Sequence, residues 1–69
     1  MRGPRLLKRY LTETQQRAAD LSRAARVDQA QLSRWLSGQG RPDIDSAARL
    51  ERATGGKVPI LAWENGKTA

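Results

Sequence analysis

Four side chains near the middle of the chain, Gln29, Ala30, Ser33 and Arg34, have the chemistry to read base-pair edges. A glutamine amide holds a donor beside an acceptor and can pair bidentately with adenine. An arginine fork can do the same with guanine, a serine hydroxyl suits several edges, and an alanine methyl can touch that of thymine. Spacing brings them together. At about 100° per residue of helix, Gln29, Ala30, Ser33, Arg34 and Ser37 share one arc, and Leu32, Trp35 and Leu36 share the opposite one. On an isolated helix such a polar arc is an ordinary solvated face. Here Gly38-Gln39-Gly40-Arg41 follows directly. Two glycines let a backbone close on a phosphate, and the arginine adds charge. The run lacks the spacing of a nucleotide-binding phosphate loop and no strand precedes it, so it suits a nucleic-acid backbone better. Trp35 has the ring for base stacking, but its place beside Leu32 assigns it to the core.

Catalytic chemistry finds little to work with. The carboxylates Glu13, Asp20, Asp28, Asp43, Asp45, Glu51 and Glu64 are scattered, and those at helix starts suit caps. There is no histidine and no cysteine. The commonest general base and metal ligand, thiolate chemistry and disulfides are all excluded. The expectation is a protein that is not an enzyme and uses neither metal nor cofactor. Thirteen Lys and Arg stand against seven Asp and Glu, a net charge of +6 with a pI near 11.2. Ten of the thirteen are arginine, the cation best matched to phosphate and guanine. This balance favours a polyanionic partner.

No apolar run approaches the roughly 20 residues of a membrane helix. The start of the chain, with Arg2 and Arg5, lacks the apolar segment of a signal peptide. Together with the absence of cysteine, this leads to the expectation of a soluble, cytoplasmic protein with no membrane partner. The 69 residues allow one domain, 1–69, whose thin stability margin dimerisation or a ligand would widen.

The elements that must position these side chains read as helices throughout. No stretch alternates with period two, and Ala, Leu, Arg and Gln dominate. A first helix is predicted from Pro4 or Arg5 to about Glu13, with Leu6, Leu7, Tyr10 and Leu11 as its apolar stripe. A second runs from about Gln16 to Ala25, turning Ala18, Leu21, Ser22 and Ala25 inward. A third begins behind Asp28 as N-cap and ends near Ser37, with Gly38 as its stop. A fourth follows Arg41-Pro42, with Asp43 at its cap; Ile44, Ala47 and Leu50, with Ala48 and Ala53, point inward, and Gly55-Gly56 ends it. A short fifth begins at Pro59, includes Ile60, Leu61 and Trp63, and stops at Asn65-Gly66. Thr68 and Ala69 are expected to fray. The fold class is a compact all-α domain of five helices.

The segment from Leu21 to Pro42 carries a resemblance. Leu21, Ser22, Val27, Leu32, Ser33, Arg34, Trp35, Leu36, Gly38, Arg41 and Pro42 fall where the Cro and lambda-repressor-like (XRE-type) helix-turn-helix family has its L-A, V, I-S-R-W-L, G and R-P positions. The stretch from Ile44 to Trp63 is similar to the helix four and five region of short Cro-like and antitoxin-like members. The resemblance covers nearly the whole chain. It implies a five-helix lambda-repressor-like domain that sits on an inverted-repeat DNA operator as a homodimer, with the helix-turn-helix at about 17–37. By this resemblance Gln29, Ala30, Ser33 and Arg34 are candidate base readers, and Gln39 and Arg41 match the backbone-contacting loop. The family's second helix usually begins Thr-Gln; Arg17 and Ala18 stand there, so Gln16 or Arg17 takes over the phosphate anchor. The family's turn glycine is Arg26, which adds a candidate phosphate contact, and a glycine common between the first two helices is Gln15.

The function this resemblance implies is a small phage-type Cro-like repressor with residues 28–37 in the major groove, nucleoid-associated in the cytoplasm of a bacterial or phage-infected cell. Its dimer segment, about 57–66, presents Val58, Ile60, Leu61 and Trp63, more apolar surface than one turn of helix needs for its own core. The alternatives are an antitoxin-type regulator that also binds a toxin, and a protein-binding module on the same scaffold.

Overall fold

Leucines at Leu7, Leu21, Leu32 and Leu50 lie completely out of water, one from each of four helices. The computed structural model describes residues 2–64. The helices are α1 (Gly3–Thr14), α2 (Ala18–Ala25), α3 (Gln29–Leu36) and α4 (Ile44–Ala53), followed by a 3-10 turn at Ile60–Trp63. No strand occurs among the described residues. The leucines meet Ala25, Trp35, Ala47, Val58 and Trp63 in one core. Burying each leucine contributes about 1.5–3 kcal/mol before entropy is counted. α1 packs on α3 and on the 3-10 turn, α2 on α3 and α4, and α4 on the 3-10 turn.

The expected fifth helix is therefore a 3-10 turn. Its bonds run from the Ala62 N–H to the Pro59 carbonyl (2.9 Å) and from the Glu64 N–H to the Leu61 carbonyl (3.2 Å), both three residues back. Four residues behind a proline close a turn of this kind without room for an α-helical ladder. The expected stop at Asn65-Gly66 and the fraying at Thr68 and Ala69 lie outside the described residues. α2 also starts later than expected. Gln15 and Gln16 belong to the link, because Gln15 turns left-handed and ends α1.

All four helices stop in the same way. In each, a residue at the cap (α1, α2) or just after it (α3, α4) has positive φ and its N–H bonds three residues back, while the next N–H bonds five residues back. Gln15 and Gln16 close α1 on the Thr12 and Leu11 carbonyls. Arg26 and Val27 close α2 on those of Arg23 and Ser22. Gly38 and Gln39 close α3 on those of Trp35 and Arg34, and Gly55 and Gly56 close α4 on those of Arg52 and Glu51. Two of these left-handed positions carry glycine and two carry the side-chain residues Gln15 (φ 58°) and Arg26 (φ 59°).

The two ends of the described chain meet. Gly3 is buried under the Trp63 indole, where a Cβ would come within 2.2 Å of a ring carbon. The Arg2 N–H donates to the Ala62 carbonyl at 3.0 Å. Trp63 in turn meets Trp35 edge-on, with ring centroids 6.3 Å apart. Trp35 is thus a core residue that ties α3 to the C-terminal turn. Ile44 departs from expectation: it is 74 % exposed. As the first residue of α4 it sits on the rim beside Pro42, and Ser46 takes the inward place together with Ala47 and Leu50.

Candidate nucleic-acid interface

α3 is held from behind and bare in front. Leu32 and Trp35 are buried and Leu36 half-buried, while Gln29, Ala30, Ser33, Arg34 and Ser37 are all exposed. The helix starts behind Asp28, whose backbone is extended (ψ 133°) as an N-cap requires, although its carboxylate makes no capping bond. That leaves the first N–H groups of α3 open at the same end as Gln29 and Ala30. At the other end, the Ser37 hydroxyl turns back to the Ser33 carbonyl at 3.1 Å, which keeps it off the presented row.

The loop after α3 leaves through Gly38 (φ 82°) and Gly40 (φ 101°) and carries Gln39 and Arg41, both exposed. Arg41 is anchored as well as charged: its Nη1 donates to the Trp63 carbonyl at 3.3 Å. One donor of the fork fixes the side chain to the C-terminal turn and the others remain free for a phosphate. A shallow hollow of about 340 Å³ runs between Gln31 and Arg34 of α3 and Gln39, Gly40 and Arg41 of the loop. The sequence places the polar row and the loop in succession, and the fold joins them along one edge.

The entry to α2 brings Gln16 and Arg17 to the surface. Arg17 occupies the N-cap (φ −98°, ψ 161°). Arginine has no acceptor, so it cannot cap with its side chain. Asp20 compensates by reaching back to accept the Arg17 N–H at 3.2 Å and an Arg23 Nη2–H at 3.2 Å. The Arg17 N–H, then the Arg23 guanidinium, hold the Asp20 carboxyl below the ordinary 3.8 despite some desolvation. Sequence reading assigned Arg17 only to phosphate; the i to i+3 spacing of Arg17 and Asp20 was the available sign of this brace.

Charge is one-sided over this region. Between residues 17 and 41 there are five arginines and two aspartates. Arg23 is paired with Asp20. Among the described residues, no carboxylate lies within salt-bridge distance of Arg17, Arg26, Arg34 or Arg41.

A family model described as Helix-turn-helix matches residues 7–61. The chain belongs to the XRE-type helix-turn-helix family, as in Cro and lambda repressor. Comparison with curated proteins and with solved structures gives no match. Membership makes this helix-turn-helix protein a DNA-binding regulator of the XRE type, with α2 and α3 as its two motif helices. Gln15 and Arg26 hold the left-handed backbone with a side chain in place and bear its steric cost. No helix of the described residues is long and apolar enough to cross a membrane.

Not every expected site residue lies on this surface. Arg26 is exposed at the turn but lines a hollow with Arg49 and Arg52 of α4, apart from the α3 row. Val58 (0 % exposed) and Trp63 (3 % exposed) are consumed by the core of the single chain and have no surface to give a dimer partner. Ile60 is half-buried and Leu61 is 63 % exposed. Ile44 and Ile60 line an open groove of about 340 Å³ together with Pro42, Ala47 and Trp63 and the charged Arg41, Asp43 and Glu64, and Leu61 is not part of its lining.

Proposed function

We propose that this protein is a sequence-specific, non-catalytic repressor that binds an inverted-repeat operator as a homodimer, with α3 in the major groove. The observation that carries the reading is the bare row Gln29, Ala30, Ser33 and Arg34 on a helix whose other face is locked into the core. Gln29, Ser33 and Arg34 choose the sequence; each good bidentate contact is worth about 1–3 kcal/mol of discrimination. Gln16, Arg17, Gln39 and Arg41 grip phosphates and set affinity and salt dependence, with no share in sequence choice. Repression follows from occupancy of a promoter, in the manner of a phage Cro-like protein.

The dimer surface in this reading is Ile44, Ile60 and Leu61, which replaces the expected set that included Val58 and Trp63. Two large apolar side chains left more than half exposed, Ile44 on the groove and Leu61 on the C-terminal turn, support a protein contact there. To engage two half-sites, the dimer would have to hold its two copies of α3 about 34 Å apart on one face of the duplex. The same apolar pair would serve a toxin in an antitoxin-type regulator, and a chain that is monomeric on DNA would favour that alternative.

Two substitutions separate the roles. Arg34→Ala should weaken binding to the preferred site and relax preference at one base position, with nonspecific binding nearly unchanged. Arg41→Ala should weaken binding to all sequences and lower the salt slope by about one. Unchanged sequence preference in the Arg34 variant would refute the placement of α3.

A further inference from the structure

We propose that the hollow between the C-terminal end of α2 and α4 binds an oligophosphate group at a site separate from the DNA-reading surface. Arg26, Arg49 and Arg52 surround it, and Ala24, Ala25 and Ala53 complete its lining, in an open volume of about 400 Å³. No carboxylate and none of the α3 readers lines it. Three planar forks around a floor of small side chains match the geometry of phosphate oxygens, which accept bidentate bonds from arginine. The volume lies within the range of small-ligand sites.

Two observations set this cluster apart from scattered surface charge. Arg49 is held in place, with Nη2 donating to Ser46 Oγ at 3.3 Å and lying 3.4 Å from an Asp45 oxygen. The donors a seated oxyanion would meet are the exposed forks of Arg26 and Arg52 and the Arg49 nitrogen that is neither paired nor shut off from solvent. Arg26 occupies a left-handed turn position (φ 59°), where a glycine would be easier. The turn that ends α2 sets Arg26 there, as Gln15 is set at the end of α1, and so brings a third cation to the hollow.

The test is an amide-shift titration of the full chain with inorganic triphosphate at about 0.15 M salt, where nonspecific attraction is screened beyond about 8 Å. The wild type is compared with Arg26→Gln/Arg52→Gln. Both substituted side chains are exposed and outside the ion pairs, so the variant keeps the fold, which its melting curve verifies. The expected result is saturable shifts at residues 24–26 and 49–53, with affinity reduced at least about tenfold in the variant through lost charge-assisted bonds. The proposal is overturned if triphosphate gives no saturable shift, if the shifts centre on residues 29–41, or if the double variant binds as tightly as the wild type.

Discussion

Replacing Gln15 by glycine should stabilise this protein, although nothing in the folded chain gains a contact. Gln15 ends α1 at φ 58° and ψ 31°, a region where a Cβ crowds the following carbonyl at a cost of about 1–2 kcal/mol. Its side chain is exposed and makes no hydrogen bond among the described residues, so truncation forfeits little. Glycine removes the crowding but brings a more flexible unfolded chain, which costs back about 0.4–1 kcal/mol. The net is a gain of about 0.5–1 kcal/mol, and for a domain of this size each kcal/mol moves Tm by roughly 4–8 °C. Melting followed by circular dichroism, at one fixed protein concentration, should therefore show Gln15→Gly several degrees above wild type. Gln15→Ala keeps the Cβ and should melt with the wild type. The reciprocal change, Gly55→Ala, meets nothing within 4 Å and should lower stability by about 1 kcal/mol on backbone grounds alone. If Gln15→Gly melts at or below wild type while Gln15→Ala melts above it, the steric account of these helix ends is wrong.

Two further outcomes follow from the same geometry. Gly3→Ala drives a Cβ to within 2.2 Å of the Trp63 ring and should cost about 1–3 kcal/mol by overpacking; a red shift of tryptophan fluorescence in the folded variant would report the displaced indole. Asp20→Asn should destabilise at neutral pH. Because folding depresses the Asp20 carboxyl below its ordinary 3.8, its contribution is complete above that value and is lost as pH falls through the lower folded value. The gap in Tm between wild type and Asp20→Asn should close in acid, and a gap that widened there would contradict the assigned cause.

Much of this arrangement is legible in the residues because local rules and packing agree. The extended caps Asp28 and Asp43, the glycine stops at Gly38 and Gly55, and the inward leucines each follow from spacing and turn chemistry. The polar row of α3 is equally plain, because Leu32 and Trp35 leave it no other direction. The misreadings have identifiable origins. Ile44 shares the spacing of Ala47 and Leu50, but periodicity cannot tell that the first turn of α4 overhangs the core beside Pro42. Val58 and Trp63 read as surplus to one turn of helix, but Val58, ahead of the 3-10 turn, and Trp63, at its end, are both taken into the core, leaving Leu61 outside. Gly3 carried no local signal at all, since its partner Trp63 lies at the far end of the chain. Nothing local in the sequence signals the company of Arg26 with Arg49 and Arg52, which only the packing of α4 on α2 brings about.

The central claim, that the α3 row chooses a DNA sequence, is tested most directly by selecting bound molecules from a random double-stranded pool at near-physiological salt. The account predicts an inverted repeat with half-site centres about one helical turn apart, and loss of one defined base position when the selection is repeated with Arg34→Ala. Recovery of no shared sequence by the wild type would contradict it.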